Sequence, residues 1–172
     1  RPETCVITNI GTCHLENLGD RDGVLKAKTE VFDHLKENAS VILNGDDDKL
    51  AGVGEVKGKM PMFFGMNPAF PVYADEVESQ GLKGISCRIH TPEGMFSVTV
   101  PIPGLHMVYN ALAGTAVGLT YGMNLDQIKA GIESLQPVSG RFHIIETEQF
   151  TIVDDCYNAN PMSMKASVQV LQ

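Results

Sequence analysis

The chain has 172 residues, 43% of them hydrophobic and 20% charged, and a net charge of −8. That is enough for one sizeable core, or for one domain and part of another. The acidic balance and the lack of any basic run argue against a nucleic-acid partner or an anionic membrane surface, and no apolar run approaches a membrane span.

Cys5, Cys13, Cys87 and Cys156 are scattered, with no Cys-x-x-Cys. They read as reduced thiols of a cytoplasmic protein, neither a disulfide frame nor a zinc site. No signal peptide is visible. The chain opens on Arg1 and stops in helix-like sequence at Gln172, which reads as a piece of a longer protein.

Cys5 to Ile10 is a short apolar run of β-formers, a candidate buried strand ended by Gly11. Residues 23 to 37 have helical spacing, with Val24, Val31 and Leu35 on one face. Val41 to Leu43 is the next strand, followed by Asn44-Gly45-Asp46-Asp47-Asp48. Strand, helix and strand in this order predict a βαβ unit with parallel pairing. Between about 62 and 102 the pattern becomes hairpin-like. Ile85, Cys87 and Ile89 alternate with polar residues, as do Phe96, Val98 and Val100 across a Pro92-Glu93-Gly94 turn. That predicts an antiparallel ribbon with one wet face. Residues 106 to 121 predict a helix that is apolar nearly all round and therefore buried. Asn124 is placed to cap a further helix carrying Leu125, Ile128, Ile132 and Leu135. Ile144-Ile145 and Phe150 to Val153 predict two last strands. The second ends on Asp154-Asp155 and runs into a loop, where open α/β folds put ligand chemistry. A pair of acids at a strand end is also what a plain solvated turn looks like.

Several residues depart from their local pattern. Lys28 lies four after Val24 and three before Val31, near the centre of the apolar stripe, while Lys26 points away. Such a lysine must pair or snorkel past the stripe edge. Alternatively, burial holds it neutral, and a neutral amine can take up carbon dioxide as a carbamate, an anionic oxygen ligand suited to Mg²⁺. His14 lies in the loop after the first strand. Asn110 is the polar exception in the apolar helix, where a buried amide needs partners. It is either a structural tie or a reader of a planar ligand's edge. Arg141, after Ser139-Gly140, is either a surface arginine or a phosphate clamp. Gly54 to Met60 holds a Gly-Lys pair but lacks the glycine spacing and the Ser/Thr of a phosphate-cradling loop, so it reads as a decoy.

These exceptions fall in strings that resemble the Mur ligases, ATP-dependent amide-forming enzymes of peptidoglycan synthesis. The strings are Thr8-Asn9-Ile10-Gly11 with His14-Leu15-Glu16, Lys26-Ala27-Lys28-Thr29-Glu30, and Leu43-Asn44-Gly45-Asp46-Asp47. They continue with Pro103-Gly104-Leu105-His106, Tyr109-Asn110-Ala111-Leu112-Ala113, Gly140-Arg141, and Asp154-Asp155-Cys156-Tyr157-Asn158-Ala159-Asn160-Pro161. The Tyr-Asn-Ala-Asn-Pro string favours the branch that joins D-Ala-D-Ala to UDP-N-acetylmuramoyl-tripeptide. The resemblance implies an α/β fold. Residues 1–148 would be the later part of a central ATP-binding domain, a mostly parallel sheet with helices and an antiparallel ribbon. Residues 149–172 would begin a Rossmann-like C-terminal domain.

The resemblance also implies roles. His14 and a carbamylated Lys28 would hold Mg²⁺ and serve catalysis. His106 and Asn110 would contact adenine, Arg141 the ATP phosphates, and Asp155 the nucleotide ribose. Tyr157, Asn158 and Asn160 would line the closed site near the phosphates. The family often has His-Asn where this chain has His106-Met107. The phosphate-binding loop, the UDP-sugar domain and most of the C-terminal domain would lie outside this stretch, which alone should bind ATP poorly and turn over nothing. A sister amino-acid ligase and a non-catalytic nucleotide-binding module on the same fold are the alternatives.

Overall fold

A computed structural model describes residues 1–12, 15–158 and 161–171, without the side chains of Pro161 and Met162. Strands β1 (Thr4–Ile7), β2 (Ser40–Asn44), β3 (Met62–Gly65), β4 (Val72–Ser79), β5 (Ile85–Thr91) and β6 (Gly94–Val100) form one six-stranded sheet in sequence order. The first three pairings are parallel and the last two antiparallel. Helices α1 (Leu15–Leu18) and α2 (Arg21–Thr29) connect β1 to β2, which is the predicted βαβ unit. The predicted ribbon is β4 to β6. Met62–Gly65, read as part of it, instead joins the parallel half. Its link to β4 is short because the strands overlap only at Phe64↔Val72 and Gly65↔Tyr73.

Strand β2 shows why the fold has three layers. Ile42 faces one core with Phe64, Ile89, Val100 and Leu112, and its neighbours Val41 and Leu43 face another with Ile7, Val24 and Leu50. A strand apolar at consecutive positions is one buried on both faces. Helices α3 (Leu105–Thr120) and α4 (Leu125–Glu133) cover the first face, and α1 with α2 the second. Helix α4 begins on the predicted cap. The Asn124 side chain accepts from Gln127 N–H, and the Gln127 side chain accepts in return from Asn124 N–H. That reciprocal box satisfies two of the orphan donors of a helix start.

Two helices differ from the sequence expectation. Helix α2 stops at Thr29 and passes into a 3-10 turn over Glu30–His34. Three residues per turn rotate Val31 and Leu35 relative to a continuous α-helix. Lys28 is therefore exposed at the stripe's margin, not buried at its centre, and its Nζ donates to the Asn9 carbonyl at 2.8 Å. Helix α3 is one-sided. Val108, Ala111, Leu112, Thr115 and Ala116 are buried, while Leu105, His106 and Asn110 are exposed. The buried polar side chain of this helix is Thr115, which donates to the Ala111 carbonyl at 2.8 Å. The decoy at Gly54 to Met60 is a tight turn, with Lys57 and Gly58 both left-handed between the bridged Val56 and Lys59.

Strands β7 (His143–Glu146) and β8 (Thr151–Asp154) form a separate antiparallel pair, followed by helix α5 (Pro161–Val170). Phe150 lies outside β8 and is exposed. Residue 148 falls in the turn of this hairpin. No described helix is long and apolar enough to cross a membrane. Cys5, Cys87 and Cys156 are free thiols.

Candidate functional site

The parallel strands β1, β2 and β3 end side by side, and the loops after them meet at that edge of the sheet, called the crevice below. The loop after β1 is held by side chains at three successive carbonyls. Asn44 Nδ2 donates to Thr8 O at 3.0 Å, Lys28 Nζ to Asn9 O, and Arg21 Nε to Ile10 O at 2.8 Å. The Ile10 N–H in turn donates to Asp47 Oδ2 at 2.7 Å. The other oxygen of Asp47 accepts from Lys49 N–H and Leu50 N–H at 3.0 and 3.1 Å. Its side chain is only 8% exposed. Arg21 also bridges to Asp48, which draws that carboxyl below its usual range. Arg21 and Asp47 were not singled out from the sequence. The Asp46-Asp47-Asp48 run looks like an ordinary turn, and nothing local announces which acid turns inward.

Asp46 joins three elements at the same end. Its Oδ2 accepts from Met66 N–H at 2.6 Å and from the Tyr109 hydroxyl at 3.1 Å. Desolvation, with the Asp46 charge beside it, pushes the Tyr109 phenol up to about 12. The start of α3 is thereby tied to the ends of β2 and β3. Gly45 lets this loop close, since the Phe70 ring fills the space where a side chain at 45 would stand.

His106 and Asn110 are one turn apart on α3. Gly104 precedes the helix at φ 106°, a conformation that suits glycine, and the His106 ring occupies the space a side chain there would need. Desolvation holds the His106 imidazole below its usual value, opposed by the nearby Asp155 carboxylate. Asn110 Nδ2 donates to Met107 Sδ at 3.4 Å.

The chain after β8 packs back onto the segment before β7. Gly140 N–H donates to Asp154 Oδ2 at 3.2 Å, Phe142 N–H to Asp155 Oδ1 at 3.2 Å, and Tyr157 N–H to Gly140 O at 3.1 Å. The Arg141 guanidinium stacks over the Tyr157 ring, 4.1 Å from its centroid. Ser167 on α5 donates to the second Asp155 oxygen. Phe142 is buried in a left-handed conformation at φ 47°, so this junction is held in a strained backbone. The structure thus sets Arg141 onto Tyr157 and ties Asp155 to Phe142 and Ser167. Asn158 is exposed in the same loop. His14 and Asn160 lie outside the described residues.

The described residues do not by themselves complete a magnesium site. Among the described residues no three His, Cys, Asp or Glu side chains converge on one point. A Lys28 ammonium is a donor and cannot ligate a cation. A magnesium ion commonly rests on one or two side-chain oxygens together with waters and substrate phosphates.

A groove of about 340 Å³ on the wet face of the ribbon shares no residue with this crevice. Arg88 pairs there with Glu76 at 2.6 Å and Lys129 with Glu133 at 3.9 Å, and Glu78 lines the groove beside them.

The Mur ligase middle domain matches residues 1–118. The chain belongs to the Mur ligase family. Among curated Mur ligases, the UDP-N-acetylmuramoyl-tripeptide–D-alanyl-D-alanine ligase of Escherichia coli is 38% identical over 99% of this chain and 38% of its own length. The enzyme of the same name from Bacillus subtilis is 34% identical over 99% of the chain and 36% of its own. The crystal structure of MurF from Acinetobacter baumannii superposes with a TM-score of 0.91 at 37% identity, covering 99% of this chain and 37% of that one. A MurF ligase from Thermotoga maritima in complex with ADP gives a TM-score of 0.83 at 29% identity, with 99% and 39% covered. This Mur ligase chain spans under two fifths of the length of each of these relatives. The expected fold, a mostly parallel sheet with an antiparallel ribbon, is the one found.

Proposed function

We propose that this chain is the nucleotide-handling middle of an ATP-dependent ligase that joins D-Ala-D-Ala to UDP-N-acetylmuramoyl-tripeptide in the cytoplasm. The observation that carries the reading is the near-complete likeness to relatives of that one name, over 99% of the chain at 38% and 34% identity. The ADP in the Thermotoga maritima structure supports a nucleotide as ligand.

In this reading ATP phosphorylates the peptide carboxylate, the dipeptide amine attacks the acyl-phosphate, and ADP and phosphate leave. The chain's own residues bind and orient. His106 and Asn110 meet the base at the start of α3, and Asp155 meets the ribose. Arg141, stacked on Tyr157, meets the phosphates, where fixed cations stabilise the transferring group, and Asn158 lines the same site; a like role for Asn160 rests on the sequence string alone. Magnesium belongs to this reading through His14 and a Lys28 carbamate. Bound there, magnesium would neutralise charge on the transferring phosphoryl group. We place the domain boundary in the Pro137–Gly140 loop rather than at residue 148, because β7 pairs with β8 across 148.

The test is phosphate release by the protein that carries this chain, given ATP and UDP-N-acetylmuramoyl-tripeptide with D-Ala-D-Ala, single amino acids, or no amine. Release that requires D-Ala-D-Ala supports the reading. Release with a different amine makes it a sister ligase, and no turnover with any amine sinks the enzyme reading.

A further inference from the structure

Asn110 is an exposed amide on the first turns of α3, at the end of the helix tied to the crevice through Tyr109 and Asp46. An amide has two faces, a donor NH₂ and an acceptor oxygen, and which one meets a ligand decides what the ligand must be. The neighbour one helical turn back settles this here. Met107 Sδ lies 3.4 Å from Asn110 Nδ2. A thioether accepts hydrogen bonds and has no hydrogen to donate. The NH₂ therefore turns toward the sulfur, and the reverse orientation would set two acceptors against each other. No described group takes the Asn110 carbonyl oxygen, which is left for a ligand.

We propose that Met107 is a specificity-determining residue: it turns the Asn110 amide so that its carbonyl oxygen reads a hydrogen-bond donor, such as the exocyclic amine of a 6-aminopurine, and rejects a 6-oxopurine. This rests on the nucleotide reading above and deepens it. An oxygen presented to a 6-oxo group gives two acceptors face to face. Leaving such groups unpaired is what makes a polar site discriminate. The Tyr109 to Asp46 hydrogen bond supports the device by fixing the turn of helix that carries both residues, since 107, 109 and 110 cannot move independently within one α-helical turn. Met107 itself is a positioning residue, because it acts through Asn110 without touching the base.

The experiment compares equilibrium binding of ADP and GDP to the protein that carries this chain, for the parent and for Met107→Leu and Asn110→Ala. Leucine keeps the volume and removes the acceptor, so folding is preserved. The amide can then rotate, and the ADP-to-GDP preference should narrow by about threefold, the lower end of what one neutral hydrogen bond contributes. The melting temperature should hold. Asn110→Ala should narrow the preference at least as far. An unchanged preference in Met107→Leu, with Asn110→Ala altered, overturns the role of Met107. An unchanged preference in both overturns Asn110 as the reader. A parent that binds neither nucleotide sinks the nucleotide reading itself, and the proposal with it.

Discussion

Asp47→Ala should be the most damaging single change in the crevice, and the geometry says by how much. One carboxylate oxygen accepts from Ile10 N–H at 2.7 Å, and the other from Lys49 and Leu50 N–H. Ile10 is 1% exposed and Leu50 is fully buried. A hydrogen bond to a charged acceptor contributes about 2 kcal/mol. A lost cap on a turn of this kind costs about 1 kcal/mol more. The sum is about 3 kcal/mol, or roughly two orders of magnitude in a local opening constant. Native-state hydrogen exchange reads this directly. Protection at Ile10 and Leu50 should fall about a hundredfold in Asp47→Ala, with β5 and β6 unchanged. Asp48→Ala is the control. Asp48 forms the more direct ion pair with Arg21, both Oδ atoms engaged, yet its side chain is 68% exposed. Solvent screens such pairs, so protection should barely move. If Asp48→Ala matches or exceeds Asp47→Ala, the ranking by burial is wrong.

The remaining expectations are separate in kind. Phe64→Ala, at a core position with no exposure, should cost about 3 to 5 kcal/mol, checked by urea unfolding. Tyr109 ionises near 12 in the folded chain against 10.0 in the unfolded one. A raised pKa contributes stability below the unfolded value that is lost as pH climbs through the folded one. Stability should therefore fall between pH 10 and 12, and Tyr109→Phe should flatten that fall in a pH-stepped denaturation series. Cys156 donates to Asp154, which raises the thiol above its usual value, and Cys87 is raised to about 11 by desolvation. Thiolate is the reactive form. Labelling at pH 8 followed by peptide mapping should find Cys156 modified slowly, Cys87 unmodified, and Cys156 faster in Asp154→Asn.

Much of the scaffold was legible in the sequence, for reasons that mark where reading fails. The ribbon was visible because Ile85, Cys87 and Ile89 alternate with polar residues at the strand period, and the cap at Asn124 because that asparagine stands directly before the helical spacing of Leu125, Ile128 and Ile132. The sidedness of α3 was not visible. Leu105 and Gly114 count as apolar although both are exposed, so the composition hid the exposed side that holds His106 and Asn110. Lys28 was misplaced because a helical wheel assumes one pitch, and the chain changes pitch after Thr29. The named strings placed His106, Asn110, Arg141 and Asp155 at candidate sites. What they touch is set by residues with no local sign of it. Asp46 receives Tyr109 from 63 positions away, and Ser167 reaches back to Asp155 from α5.

The six-stranded sheet also has an asymmetry. Strand β6, at one end of its order, packs against α4, whereas among the described residues β1 at the other end pairs with β2 alone. Its sequence, Thr-Cys-Val-Ile, carries no charge, no proline and no bulge, the devices by which proteins discourage strand-to-strand adhesion. The outer rim of β1 is thus a row of backbone donors and acceptors suited to another strand. Handled in isolation, this polypeptide should stick to itself in proportion to concentration, and a charged residue in place of the half-exposed Val6 is where solubility can be engineered.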